Sequence, residues 1–161
     1  MFLRRIGLSA VLACLTLAAG RGTADDRKTP DELAREAVLA YVKAANARDV
    51  DAAMKVVDVP FYFTEKIIVK GRDEMRKILE VAARRKNGEF SLRIQDVGTL
   101  EQMEKKTGKV LKEEKRKPLI QVLGKEHRIV RVEITNDLGT TKAAFAVRID
   151  GSKAVVVGHF D

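Results

Sequence analysis

Cysteine and histidine are scarce in this sequence, and their scarcity excludes several classes of site. The 161 residues contain one cysteine and two histidines. A single cysteine excludes an internal disulfide and every zinc or iron–sulfur site that needs several thiolates. Two histidines disfavour a metal site built from histidines alone. The sequence also has no Ser–His–Asp arrangement and no glycine-rich loop that could cradle a phosphate, because its eleven glycines occur singly at turns.

The balance of apolar and charged residues is that of a globular domain. Hydrophobic residues make up 45% of the chain and charged residues 34%, which excludes wholesale disorder. The length fits a single domain that is large enough to bury a core. No motif identifies a reaction, so the sequence says more about fold and compartment than about activity.

Residues 1–24 have the pattern of a secretory signal peptide. Two arginines precede an apolar stretch over residues 6–19, which is too short for a membrane-spanning helix of about 20 apolar residues. The small residues at 22–24 offer a cleavage site, and cleavage after Gly20 would serve nearly as well. We therefore expect an exported protein, periplasmic or secreted, with a polar leader at 25–30 and a domain over 31–161.

Two other interpretations of this amino-terminal segment compete with cleavage and export. It could be retained as an anchor. Residues 11–14, Val-Leu-Ala-Cys, also resemble a lipoprotein box, in which case Cys14 would carry a lipid and tether the protein to a membrane. Cleavage near residue 24 would instead remove Cys14 and leave a domain without thiols, which suits an oxidising compartment.

The net charge of +8 is concentrated in two places. Loss of the signal peptide removes three arginines and no acid, which leaves 28 basic and 23 acidic residues. Most of that excess lies in residues 104–117, within a lysine-rich segment at 98–125. No aromatic residue at 104–117 could stack on a base, and export separates the chain from nucleic acid. We expect a solvated surface segment, no nucleic-acid partner, and membrane contact only through a lipidated Cys14.

Helical periodicity comes first along the chain. Thr29-Pro30 starts an amphipathic helix that extends to about Ala47. Asp49 or Asp51 caps a shorter second helix, which Pro60 ends. A third helix opens near Asp73 and closes near residues 87–88.

Strand periodicity dominates the rest of the chain. A small hairpin is predicted over 61–70, and alternating patterns follow at 90–95, 127–135, 143–149 and 154–160. Glycine-containing turns between the last runs indicate an antiparallel meander. Residues 98–125 fit neither period, and we expect one or two short helices there, beside the sheet. The order predicts an α+β fold.

Residues 41–54, Tyr-Val-Lys-Ala-Ala-Asn-Ala-Arg-Asp-Val-Asp-Ala-Ala-Met, resemble the first helices of the nuclear transport factor 2-like superfamily. This superfamily includes the ketosteroid isomerase, polyketide-cyclase-like and scytalone dehydratase families. Gly71, which opens the third helix, extends the resemblance. It implies a curved, mostly antiparallel sheet around the first helices, forming a cone (a cystatin-like roll) with an apolar cavity. It also implies four carboxyl-terminal strands, one of which would have to lie within 98–125.

The same resemblance suggests candidate catalytic residues. Tyr41 corresponds to the isomerase family's tyrosine donor, and the family's base falls near Glu65, with Thr64 beside it. The second donor falls near Phe145 or Ala144, and neither side chain can donate. From the residues themselves, His159 shares a strand face with Val155 and Val157, so a histidine–carboxylate pair with Asp161 could perform acid–base chemistry.

Aromatic residues and these polar groups together form the predicted ligand-binding set. Its members are Tyr41, Phe61, Tyr62, Phe63, Phe145 and His159. No metal site is expected, because Asp49, Asp51 and Asp58 are not spaced to converge on one ion. No cofactor is implied.

Three functional hypotheses follow. The first is a binding domain without chemistry of its own that holds a small apolar or amphipathic ligand, or a partner protein, in its cone. The second is a small lyase or isomerase that uses Tyr41 with Glu65 or His159. The third is an association module, such as a homodimer formed through an apolar outer sheet face.

Overall fold

A computed structural model describes residues 28–63, 67–85 and 89–160. The expected signal peptide with Cys14, the candidate base Glu65 with Thr64, and Asp161 lie outside the described residues. The elements follow in this order: α1 (Pro30–Asn46), α2 (Val50–Val56), β1 (Val57–Phe63), β2 (Ile67–Val69), α3 (Arg72–Arg84), β3 (Ser91–Gly98), α4 (Leu100–Thr107), α5 (Glu113–Leu123), β4 (Glu126–Asn136), β5 (Gly139–Asp150) and β6 (Lys153–Phe160).

The strands form one mixed sheet in the order β2-β1-β6-β5-β4-β3. Neighbouring strands are antiparallel except β1 and β6, which run parallel. Helix α1 crosses one face of the sheet and contacts β3, β4, β5 and β6. We call this the inner face. The architecture is the α+β fold with helices packed in a curved, mostly antiparallel sheet that the sequence predicts.

Side chains near the turns fix where the first two helices begin. The Thr29 hydroxyl accepts a hydrogen bond from the Glu32 amide at 3.3 Å, and the Glu32 carboxylate accepts one from the Thr29 amide at 2.7 Å. This reciprocal capping box satisfies two amide groups that the first turn of α1 leaves free. Asp49 caps α2 by accepting from the Ala52 amide at 2.8 Å. Arg48 makes the tight connection between the helices with a φ of 55°.

Pro60 lies in a different element from the one its sequence context suggests. Helix α2 ends at Val56, and β1 has already begun at Val57, so Pro60 lies within the strand instead of terminating the helix. Its peptide bond with Val59 is cis. A proline has no amide to donate to the sheet, and β1 departs from regular pairing with β6 over this stretch.

The segment at 98–125 contributes helices and no strand, so the expectation of a strand there is wrong. Helix α4 begins with a second capping box, between Thr99 and Gln102, and ends at Gly108 with a φ of 65°. Helix α5 follows. The fourth carboxyl-terminal strand is β3, whose alternating pattern begins near Phe90 and extends to Gly98. Both helices pack beside the sheet, as the sequence predicts.

A β-bulge changes which face of β6 each residue occupies. Ala146 pairs with Gly158, but Val147 pairs with Val156, so Val157 has no residue opposite it on β5. Because one extra residue inverts the alternation, His159 lies on the inner face with Val156. Val157 packs on the other face. The prediction that His159 shares a face with Val155 and Val157 is therefore wrong.

Two apolar clusters hold the domain together, one on each face of the sheet. The inner cluster joins α1, α2 and α3 to the sheet and contains, among others, Val38, Phe61, Met75, Val130 and Val156. The outer cluster joins α4 and α5 to the opposite face and includes Leu119, Val122, Leu123, Ile129 and Val157. Each such fully buried side chain contributes roughly 1.5–3 kcal/mol of transfer free energy. The lysine-rich segment thus covers the outer face with apolar side chains and turns its charges to solvent.

Candidate functional site

A cavity of about 400 Å³ lies between the carboxyl-terminal half of α1, helices α2 and α3, and the inner face of the sheet. Its wall is mostly apolar, and its volume falls in the range that holds a small organic ligand. The apolar lining residues are Ala44, Ala45, Val50, Ala53, Leu79, Ala82, Ala83, Phe90, Ile134 and Phe145, and the polar ones are Tyr41, Asn46, Arg48, Asp49, Arg85, Glu89 and His159.

Tyr41 is a polar group placed in this wall by α1. Its ring meets the ring of Phe145 edge to face, with centroids 5.8 Å apart and an interplanar angle of 65°. Burial raises the pKa of Tyr41, so the hydroxyl keeps its proton. Within the described part of the chain, no hydrogen bond to this hydroxyl is found. It is a donor that a ligand in the cavity can use.

His159 reaches the same cavity from β6. It pairs across the sheet with Phe145, and the two rings stack with centroids 4.9 Å apart. The bulge at Val157 is what turns the imidazole inward. Tyr41 and His159 therefore touch the same phenyl ring and face one ligand-sized space.

The aromatic residues of β1 lie apart from this cavity. Phe61 is fully buried in the inner cluster, with its ring centroid 4.6 Å from that of Phe63. Tyr62 lies on the outer face, where its ring meets Phe160 at 6.1 Å. Of the residues singled out from the sequence, the cavity brings together Tyr41, Phe145 and His159, and it leaves Phe61, Tyr62 and Phe63 outside its lining.

The charged lining residues are exposed and therefore mark the mouth of the cavity. Arg48 and Asp49 lie at the α1–α2 turn, and Arg85 and Glu89 lie at either side of residues 86–88. Together they carry no net charge. The formal charge of these four described residues therefore favours neither a cationic nor an anionic ligand.

Asn46 is a site residue that sequence reasoning missed. Its side-chain amide donates to the Phe90 carbonyl at 2.7 Å, and its side-chain oxygen accepts from the Phe90 amide at 3.1 Å. This pair of bonds fastens the segment before β3 to the end of α1 and sets Phe90 in the cavity wall. The position of Asn46 within residues 41–54, which carry the family resemblance, was the available signal.

The three aspartates that resemble a metal set have other partners. Asp49 caps α2, Asp51 binds Arg76 at 2.8 Å, and Asp58 binds Arg72 at 3.3 Å. In the described ranges, no three His, Cys, Asp or Glu side chains are arranged to hold a metal ion. None of the described helices is long and apolar enough to cross a membrane.

Comparison with solved structures identifies the fold. No family model matches the sequence, and no curated protein matches it. An NTF-2 like protein of unknown function from Shewanella oneidensis MR-1 is similar in structure, with a TM-score of 0.51 and 15% identity over 81% of this chain and 97% of that one. A ketosteroid isomerase-like protein from Erwinia carotovora atroseptica matches at a TM-score of 0.50 and 15% identity, over 82% and 94% of the two chains.

A domain of unknown function with a cystatin-like fold, from Nostoc punctiforme, gives a TM-score of 0.52 at 14% identity, over 82% of this chain and 76% of that one. At these identities the likeness concerns the fold alone. The chain has the nuclear transport factor 2-like fold, and the resemblance seen at residues 41–54 is confirmed at that level.

Proposed function

We propose that this protein is an exported binding domain that holds a small, mainly apolar ligand with one polar group. The observation that carries the proposal is the cavity itself. Its apolar wall would bury the body of the ligand, while Tyr41 and His159 would bind a hydroxyl or carbonyl oxygen. No described carboxylate lies in its depth, because Asp49 and Glu89 are exposed at the mouth.

A neutral aromatic alcohol such as 2-naphthol is a suitable probe, since its fluorescence reports transfer from water to an apolar site. We expect saturable binding to the folded domain. Ala45 lines the cavity and Ala40 is exposed on the same helix, so A45L and A40L form a matched pair. The A45L variant places a larger side chain in the cavity and should weaken binding at least tenfold, whereas A40L should bind as the parent does. Equal binding by both variants would place the probe elsewhere and contradict the proposal.

A small lyase or isomerase is the second candidate, favoured by the position of His159 and Tyr41 around one ring. In that case His159 would take a carbon-bound proton, and Tyr41 would donate to the developing oxyanion. Deuterium incorporation at the α-carbon of 2-tetralone in heavy water, followed by NMR, tests this. Exchange that is faster than in buffer and lost in H159Q would support an enzyme. Exchange at the buffer rate would contradict an enzyme and favour the binding function.

Export is the part of the proposal that rests on the sequence of residues 1–24. Mass spectrometry of the protein recovered from a bacterial host should show a mature chain beginning near Asp25. A C14S variant separates the two routes: it should leave a cleaved, soluble protein unchanged and release a lipid-anchored one from the membrane fraction. A full-length chain in the cytoplasm would contradict export.

A further inference from the structure

A second pocket lies on the opposite side of the sheet from the cavity. It has a volume of about 670 Å³ and is bounded by α4, the segment after α4, and the outer face of β4, β5 and β6. The floor and walls include Leu100, Met103, Leu111, Ile129, Ala144 and Phe160. Helices α4 and α5 pack on the outer face, and the space between α4 and the end of β6 is left open as this pocket.

Four cations surround this apolar floor. Lys106 and Lys109 come from the end of α4 and the segment after it, and Arg131 and Lys142 come from β4 and β5. The Asp96 carboxylate neutralises part of this charge. Its oxygens lie 2.5 Å from the Lys106 Nζ and 3.8 Å from the Arg131 Nη1. Lys109 and Lys142 are exposed at the rim.

Two acids near the rim already bind arginines. Glu104 also lines the pocket, but its carboxylate binds the Arg116 guanidinium and accepts from the Leu111 amide at 3.0 Å. Glu133, which faces Lys142 across the sheet, accepts a hydrogen bond from Arg93, and both Arg93 and, to a smaller extent, Lys142 lower its pKa. Among the described residues, the rim therefore keeps an excess of positive charge over an apolar floor. Walls of low dielectric constant focus such a field on the pocket.

We propose that this outer pocket binds a monomeric amphipathic anion, such as a carboxylate with an aliphatic chain. The chain would lie against Ile129, Ala144 and Phe160, and the carboxylate would pair with Lys109 and Lys142. Charge complementarity and an apolar floor select this class over a neutral lipid or a hydrophilic anion. The described charged residues at the mouth of the inner cavity sum to zero and give no such selection, so the two sites would take different ligands.

Isothermal titration with dodecanoate, held below its micelle concentration, tests the outer pocket directly. We expect saturable binding by the parent protein and at least fivefold weaker binding by the K109Q/K142Q variant, because two charges near the carboxylate are lost. The K55Q/K153Q variant is the matched control: it makes the same change in net charge at exposed lysines on α2 and at the start of β6. It should bind dodecanoate like the parent. Dodecanol, which lacks the charge, should bind more weakly than dodecanoate.

The location of the ligand separates this proposal from the function of the inner cavity. Dodecanoate should shift the methyl resonances of Met103 and Leu111 and leave those of Leu79, which lines the inner cavity, unchanged. Binding that is lost in A45L but retained in K109Q/K142Q would place the anion in the inner cavity and overturn the proposal. Binding to anionic phosphatidylglycerol vesicles without binding to monomeric dodecanoate would also overturn it, in favour of a membrane surface.

Discussion

The imidazole of His159 stacks on the ring of Phe145, with an interplanar angle of 26°. The same phenyl ring receives Tyr41 edge to face from α1. Phe145 therefore connects the helix and the last strand at the point where both polar groups of the cavity reach its interior. Its side chain is 3% exposed, so its packing bears on stability and on the site together.

Replacing Phe145 should destabilise the domain strongly. The F145A variant loses a buried ring and both aromatic contacts, and we expect the free energy of unfolding to fall by about 3–5 kcal/mol. F145L keeps apolar volume and should lose less, which provides a folded variant for binding measurements. Urea unfolding, monitored by circular dichroism, measures the stability of F145A and F145L. L138A, at a side chain that is 91% exposed, should change stability by less than about 0.5 kcal/mol.

Asn46 is expected to hold the cavity mouth in place. Replacing it with alanine removes two hydrogen bonds to the backbone of Phe90, and we expect a loss of about 1–3 kcal/mol. Binding of 2-naphthol should weaken as well, because the segment before β3 is released. N136A is a useful comparison, since the Asn136 side chain makes a single local bond to the Leu138 amide in an exposed turn. Equal destabilisation by the two changes would contradict a special role for Asn46.

Two glycines with positive φ provide a test of local packing. Gly108 has a φ of 65° and open space where a Cβ would lie, whereas Gly124 has a φ of 74° and a Cβ there would stand 3.0 Å from the Arg148 side chain. G108A should cost about 1–2 kcal/mol from backbone strain alone. G124A should cost at least about 1 kcal/mol more, because Gly124 has a ψ of −170°, a region open essentially to glycine alone, and because the new Cβ crowds the Arg148 side chain that binds Asp58. The difference between the two unfolding free energies measures the combined cost of that backbone conformation and of crowding Arg148.

Local signals in the sequence predict much of this fold. The capping residue Thr29 and the helical spacing of apolar residues give α1 within about a residue of both ends. Asp49, one of the two predicted caps, gives the start of α2, but the predicted end at Pro60 lies beyond its last residue, Val56. The alternation of apolar and polar residues predicts β3, β5 and β6, and the family resemblance at residues 41–54 indicates the overall fold. These features depend on residues within one or two turns of each other, so the sequence alone carries them.

What the sequence does not reveal depends on contacts between distant residues. The bulge at Val157 arises from pairing with β5, and it decides that His159 faces the cavity with Phe145. Pro60 resembles a helix stop, but its strand is fixed by pairing with β2 and β6. Helices α4 and α5 lie beside the sheet as the sequence predicts, but which of their side chains pack on its outer face depends on contacts with distant strands.

His127 links pH to stability through the start of α4. The sequence context, beside Lys125, Glu126 and Arg128, suggests an exposed side chain, but the imidazole is half-buried and its Nε2 accepts a hydrogen bond from the Leu100 amide at 3.3 Å. Burial lowers the pKa of His127 below its ordinary value of 6.5. The unfolded chain therefore binds a proton more readily than the folded domain does. The contribution of His127 to the free energy of unfolding should be constant above about pH 7. It should decrease as the pH falls below 6.5.

The H127Q variant isolates this contribution. Urea unfolding at pH 7.5, 6.5 and 5.5 should show a smaller loss of stability on acidification than the parent shows, because the titrating group is gone. The variant itself should be less stable than the parent at pH 7.5, since the Leu100 amide loses its acceptor. Identical pH profiles for the two proteins would show that protonation of His127 costs the folded domain nothing.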